Sequence, residues 1–319
     1  MGAVHAAKSK KRLKRSKENY MNFKQFCEKV YQGVVEFYKD AVNVKLQEVK
    51  KNNGVTLTGL LLAEKDNKVA PAVYLDSYFE DYRKGKKIED IVVEIVQIYE
   101  RVRKHQQVDV QFFSDYQKAK ERICYKLIHY QRNESLLAGV PHIRYLNLAV
   151  VFYYAYENPL LGNGTILIQN SHKESWKVTT EELFRQAKEN TERLFPADLI
   201  KMEEIVKELL GVSLDEEKLW DEKELVPMFV LTNRQRMFGA ISIFYPEVLK
   251  ELAEKVDANL FILPSSVHEV ILLPDAGAKA ECLQEMVKDV NSTQVAAEEI
   301  LSDSVYYYDR TLGRIDLLC

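Results

Sequence analysis

The segment VNVKLQEVKKNNGVTLTGLLLAE, residues 42–64, constrains the fold more than any other. Val42, Val44 and Leu46 alternate with Asn43, Lys45 and Gln47, the period of a half-buried strand. Only the final pair, Glu48 and Val49, breaks the alternation. KKNNG then supplies residues that tolerate positive φ, and VTLTGLLLAE returns as a second strand. A tight hairpin commits these strands to antiparallel pairing, because parallel neighbours need a long crossover. Helical periods flank the hairpin. Phe23, Phe26, Val30, Val34 and Phe37 recur at three and four within 22–39, and Ile88, Ile91, Val92, Ile95, Ile98, Tyr99 and Val102 do so within 88–102. VAPAVYLDSYF (69–79) is expected to add an extended edge piece, with Pro71 placing it at the edge.

The rest of the chain reads in the same way. Residues 115–138 are expected to be helical through Ile123, Leu127, Ile128 and Tyr130. LNLAVVFYYAY (146–156) and TILIQNS (165–171) read as strands joined by the turn ENPLLGNG. Thr179 and Glu182 form a capping box that opens a helix over VTTEELFRQAKENTERL. DLIKMEEIVKELLG (198–211) is expected to be a helix closed by Gly211, and 212–226 a charged connection. MFVLT (228–232) and FGAISIF (238–244) are expected to pair around NRQRM. A helix follows Pro246, then strands at NLFIL and VHEVILL, a helix at AECLQEMVKDVN and a final hairpin of VYYYD with RIDLL. In VYYYD, Tyr306 and Tyr308 fall on the face opposite Val305 and Tyr307.

Hairpin-then-helix recurs three times, unlike the strict alternation of a doubly wound sheet. The expected class is α+β, with mostly antiparallel sheets and helices packed on one face. The expected division is a basic disordered tail, 1–20, and three α+β units: 21–110, 111–211 and 227–319.

The 319 residues are 46% apolar and 29% charged, enough to bury a sizeable core. Seven basic residues against Glu18 give residues 1–20 a charge of +6, which leaves −9 for the remainder of a chain whose formal net charge is −3. An acidic body argues against a broad nucleic-acid footprint and leaves only the tail for such contact. Met21 opens a helical pattern, so translation from Met21 is one expectation for this tail. No apolar run reaches the roughly 18 residues of a membrane span. Cys27, Cys124, Cys282 and Cys319 are too scattered for a zinc knuckle or a disulfide framework and fit a reducing cytoplasm.

The stretch LPSSVHEVILLP (263–274) gathers Ser265, Ser266, His268 and Glu269 between prolines. It is not a zincin motif, because Leu272 stands where the second histidine belongs. In a strand, His268 and Glu269 would face opposite ways, so they form no side-by-side dyad. His172 and Glu174 match half of a zinc deaminase signature, and the P-C-x-x-C half is missing. There is no phosphate-binding glycine loop, no nucleophile elbow and no C-x-x-C. No metal or cofactor is expected. The catalytic candidates are therefore Ser265, Ser266, His268 and His172, and the binding candidates Asn170, Asn233, Arg234 and Arg236, polar groups on turns that a sheet can gather at one edge.

KNNGVTLTGLLL, PAVYLDSYFEDYRKGKKIEDIV, VPHIRYLNLAVVFYY, ILIQNSHKESWKVTTEELFRQAKENT, FVLTNRQRMFGAISIFYPEVL, LPSSVHEVILLP and VNSTQVAAEEILSDSVYYYDR together resemble domain-of-unknown-function family 5688, found in Clostridia and related Firmicutes. The resemblance spans nearly all of 21–319 and excludes the tail. It implies a bacterial, intracellular protein and supplies no activity and no site residues. The functional expectation is a non-enzymatic cytoplasmic binding protein with a protein or peptide partner. The alternatives are a hydrolase with a Ser/His site and nucleic-acid contact through the tail.

Overall fold

The computed structural model describes residues 21–39, 41–63, 72–104, 115–158, 162–210, 227–264 and 266–319. The basic tail and the 212–226 connection lie outside the described residues. The chain divides into two compact units, one of residues 1–50 with 56–108 and one of residues 51–55 with 109–319. The expected central and C-terminal units thus share the second of these. Secondary structure is α+β throughout.

In the first unit, α1 (Phe23–Tyr38) starts at an Asn22–Gln25 capping box. Strands β1 (Asn43–Lys50), β2 (Thr56–Ala63) and β3 (Ala72–Tyr74) form an antiparallel sheet in that order, with Val44 opposite Leu62 and Leu46 opposite Leu60. The expected edge strand is only these three residues, and α2 (Leu75–Arg83) follows at once. The correction has a simple cause. Leu75, Tyr78, Phe79 and Tyr82 are spaced three and four apart, a helical stripe whose aromatic content imitates a strand. Phe79 uses this face to meet Phe23 and Phe26, with ring centres 5.2 and 5.3 Å apart. Helix α3 (Ile88–Lys104) completes the unit, and Ile91, Ile95 and Tyr99 are buried with Phe26, Val30, Val34, Leu60 and Leu62.

The second unit holds two antiparallel sheets. One consists of β4 (Ile123–His129), β5 (His142–Tyr145), β6 (Leu148–Asn158) and β7 (Gly162–Leu167), with β6 pairing all three others. In place of the helix expected over 115–138 there is one turn at Tyr116–Ala119, a 3-10 turn at Lys120–Arg122, then β4, and a second short helix at Glu134–Leu137. Every residue of β4 except Lys126 is buried. A strand covered on both faces loses its alternation, so its apolar run mimics a helix. Short α4 (Asn170–Trp176) and α5 (Thr180–Leu194) follow, α5 with the expected Thr179–Glu182 box.

The second sheet runs in the order β13 (Arg314–Leu317), β12 (Tyr306–Asp309), β10 (Leu260–Leu263), β11 (Val270–Pro274), β9 (Phe229–Asn233), β8 (Ala197–Lys201). Residues 197–201 (Ala197–Lys201) are the edge strand β8, where a helix was expected, and α6 begins only at Met202 (Met202–Leu210). β9 (Phe229–Asn233) pairs with β8 and with β11 (Val270–Pro274), so FGAISIF is not its hairpin partner. Gly239–Phe244 is a buried 3-10 segment instead, because Phe238 turns the chain out of the sheet with φ 55°. α7 (Val248–Val256), β10 (Leu260–Leu263), α8 (Ala280–Thr293), β12 (Tyr306–Asp309) and β13 (Arg314–Leu317) complete the unit. Tyr306 and Tyr308 join its main core with Leu260 and Ile262, while Val305 and Phe261 pack on the other face with Leu283 and Val287 of α8.

Candidate functional site

The sequence candidates fall into two neighbourhoods of the second unit. Asn170 and His172 sit at the start of α4. The Asn170 amide donates to the Ala138 carbonyl at 3.2 Å. His172 Nδ1 accepts the Gln169 N–H at 3.0 Å, its ring lies against Trp176, and burial lowers its pKa. This histidine is built into a helix cap.

Ser266, His268 and Asn233 belong to the other neighbourhood, and Ser265 lies outside the described residues. Ser266 Oγ accepts the backbone N–H of His268 at 3.0 Å, and Ser266 N donates to the Glu269 carbonyl, which closes a turn. β11 begins only at Val270, so this turn rather than a pleat aims His268. Its Nδ1 accepts the Phe238 N–H at 3.2 Å, which puts the proton of a neutral ring on Nε2. Nε2 faces Glu299 Oε1 at 3.6 Å. Both ring nitrogens thus face groups other than the Ser266 hydroxyl. Asn233 is buried and clasps Met237 twice, accepting from its N–H at 3.1 Å and donating to its carbonyl at 2.8 Å. Arg234 and Arg236 are exposed on the loop so closed, and Arg236 has φ 51°.

Two interlocked segments, 232–239 and 266–269, hold this neighbourhood together. Thr232 Oγ1 donates to the His268 carbonyl at 2.8 Å. A Cβ on Gly239 would come within 2.5 Å of that carbonyl and 2.7 Å of Asn233 N, so only glycine lets the segments meet. The left-handed turns at Arg236 and Phe238 cost about 1–2 kcal/mol each. Such strain persists where the surroundings over-determine it, and functional sites are where it concentrates. Here the surroundings are the Asn233 clasp and the Phe238 ring, stacked on His268 (5.4 Å, 15°) and edge-on to Tyr153 (5.3 Å, 65°).

The residue that sequence reasoning missed is Lys126. Within a helical reading of 115–138 it is one more solvated lysine. In β4 it is the single charged side chain of a strand otherwise buried, on the face that carries Cys124. Its ammonium lies 3.9 Å from the Phe238 ring centre and 6.0 Å from that of Tyr153. Among the described residues no carboxylate or hydrogen-bond acceptor meets it. Burial, and then the charge of Lys51, pull its pKa down to about 8, although the side chain keeps part of its surface open to solvent. Lys51 belongs to the turn Lys51–Val55. In that turn Asn52 donates to Glu298 O at 2.7 Å, and Asn53 to Ala297 O and Ile300 O at 2.8 and 2.7 Å. Those bonds hold the turn against the segment that carries Glu299, whose carbonyl accepts from Val267 N–H at 2.8 Å. A lysine offset by strand period on a buried strand was the available signal.

Other chemistries are less well supplied. Burial raises the Cys124 thiol to about 12, so it stays protonated. Among the described residues no three His, Cys, Asp or Glu side chains gather to hold a metal ion. A separate cavity of about 510 Å³ is lined by Tyr145, Phe244, Tyr308, Lys250 and Arg314. Its two cations are already paired, Lys250 with Glu247 at 2.6 Å and Arg314 with Asp316 at 3.0 Å.

Residues 23–310 match the family described as "Family of unknown function (DUF5688)". The chain belongs to this family. No curated protein and no solved structure matches this DUF5688 chain. The fold and the Lys126 cluster therefore carry the functional reading. Among the described residues no helix is long and apolar enough to cross a membrane.

Proposed function

We propose that this protein is a bacterial, cytoplasmic binding protein whose ligand is a small organic anion with an apolar or aromatic body, held at Lys126. The carrying observation is the Lys126 ammonium, set against Phe238 and Tyr153, with no carboxylate among the described residues to meet it and with the charge of Lys51 lowering its pKa. A partly desolvated charge without a counter-ion is unfavourable, and a bound anion supplies one. The aromatic faces favour a ligand with a flat apolar part. Four unpaired cysteines support the cytoplasmic assignment. The serines and histidines support a hydrolase less well, since Ser266 and His268 are both engaged by backbone groups.

Calorimetric titration of the full chain with benzoate and with benzyl alcohol tests the reading. The expected result is benzoate binding that weakens at least tenfold in Lys126→Gln, about 1.4 kcal/mol, with no binding of the alcohol. Equal binding of the two probes, or benzoate binding indifferent to Lys126→Gln, contradicts it.

A further inference from the structure

The cavity between β5, the 3-10 segment, the start of α7 and the β12–β13 hairpin is a second site, with a ligand class of its own. We propose that it binds a free aromatic α-amino acid whose ring carries a hydrogen-bond donor, tyrosine or tryptophan, as the zwitterion. Three observations carry this, and none involves Lys126. The first is the walls. The cavity of about 510 Å³ lies within the roughly 300–1,000 Å³ of small-molecule sites. Tyr145, Phe244 and Tyr308 line it with Leu249 and Ile315. Tyr145 meets Phe244 edge-on, with ring centres 4.8 Å apart, and its hydroxyl donates to the Ile315 carbonyl at 3.3 Å, which ties β5 to β13. Such ring faces suit a flat aromatic ligand.

The second is Tyr308. It is only 7% exposed, yet among the described residues its hydroxyl has no hydrogen-bond partner. A buried phenol ordinarily has one. Its neighbours on β12 conform, since Tyr306 donates to Asn147 at 2.6 Å and Tyr307 to Asp275 at 2.7 Å. A ligand ring with an N–H or O–H at its edge supplies the bond that Tyr308 lacks.

The third is charge of both signs. Glu247, Lys250 and Arg314 line the cavity. Lys250 pairs with Glu247 at 2.6 Å and Arg314 with Asp316 at 3.0 Å, all at the exposed surface. Exposed pairs of this kind contribute little, so a ligand can take over either partner. Its ammonium suits Glu247, and its carboxylate suits Lys250 and Arg314. α7 begins here with no side-chain cap. The acceptors of the Leu249 and Lys250 N–H groups would lie before the helix, and among the described residues neither N–H has one. Free N–H groups at a helix start favour a carboxylate. A simple anion would meet Glu247 unfavourably, and a simple cation would meet Lys250 and Arg314 unfavourably. A zwitterion satisfies both signs.

Calorimetric titration of the full chain, and of the same chain carrying Lys126→Gln, tests this. The probes are L-tryptophan, L-tyrosine, 1-methyl-L-tryptophan (no ring N–H), tryptamine (no carboxylate) and indole-3-propionate (no ammonium). L-Tryptophan is expected to bind both chains alike. In Lys126→Gln, tryptamine and indole-3-propionate should bind at least tenfold more weakly than L-tryptophan, and the methylated ring severalfold more weakly. Tyr308→Phe keeps the ring and should erase the preference for L-tryptophan over its methylated form. Glu247→Gln, at the surface and safe for folding, should weaken L-tryptophan at least fivefold with the circular dichroism spectrum unchanged. Absence of binding by both L-tryptophan and L-tyrosine at millimolar concentration overturns the proposal. So do equal binding of amino acid, amine and acid, or indifference to Glu247→Gln. L-Tryptophan binding lost in Lys126→Gln overturns it too, by placing the ligand at the other site.

Discussion

Replacing Lys126 by methionine is expected to stabilise the second unit while abolishing what the site does. The amine sits at about 8 in the folded chain against an ordinary 10.5. At about 1.4 kcal/mol per unit of pKa, the charged amine costs the fold on the order of 3 kcal/mol. Because solvent reaches part of the side chain, the effective figure is roughly 1–3 kcal/mol. Methionine keeps the unbranched stem and its contact with Phe238 and carries no charge to desolvate. The pH dependence fixes the sign. The folded-state pKa is the lower one, so between about pH 8 and 10.5 the unfolded chain binds more protons and wild-type stability rises with pH. The advantage of Lys126→Met is therefore full below pH 8 and closes towards pH 10.5. Trp176 is buried in the second unit, so urea unfolding followed by tryptophan fluorescence reports on that unit. At pH 7 the variant should gain roughly 1–3 kcal/mol, and at pH 9.5 clearly less. A variant less stable than wild type at pH 7, or a gap that ignores pH, would refute the reasoning and make Lys126 a structural residue.

Gly239→Ala should destabilise by about 1–3 kcal/mol through overpacking, since two of its three nearest atoms are backbone; Gly139→Ala, whose nearest neighbour is 3.6 Å away, should shift the urea midpoint little. Asn190→Ala orphans the Lys120 and Ile123 carbonyls, which accept from Asn190 Nδ2 at 2.7 and 2.9 Å, and should cost about 1–3 kcal/mol in the same assay. Iodoacetamide at pH 7.5 should label the exposed Cys282 on the native protein, and Cys124 and Cys27 only after unfolding, because burial holds those thiols at about 12 and about 11; peptide mass spectrometry reads the sites, and native labelling of Cys124 would contradict its burial.

Local chemistry was legible wherever one face of an element meets solvent. The β1–β2 hairpin, the capping boxes at Asn22 and Thr179, and the split of Tyr306 and Tyr308 from Val305 follow from residue type and spacing. β4 did not, because cover on both faces erases the alternation that marks a strand, and its one lysine vanished into a misread helix. FGAISIF failed for another reason: its apolar run suits a strand, but the left-handed Phe238 and the close approach at Gly239 send it into a 3-10 turn, and no local propensity announces a contact with residue 268.

The functional candidates divide along the same line. LPSSVHEVILLP gathers polar side chains in sequence, yet its serine and histidine are engaged by their own and neighbouring backbone. By itself the sequence determined the α+β class, most of the hairpins and most of the helices, because these rest on interactions among residues a few positions apart. Only the tertiary structure decided that Lys51, Lys126, Phe238, His268 and Glu299 belong together. Desolvation and the loss of a counter-ion depend on what surrounds a side chain, and those surroundings come from five segments far apart in the chain.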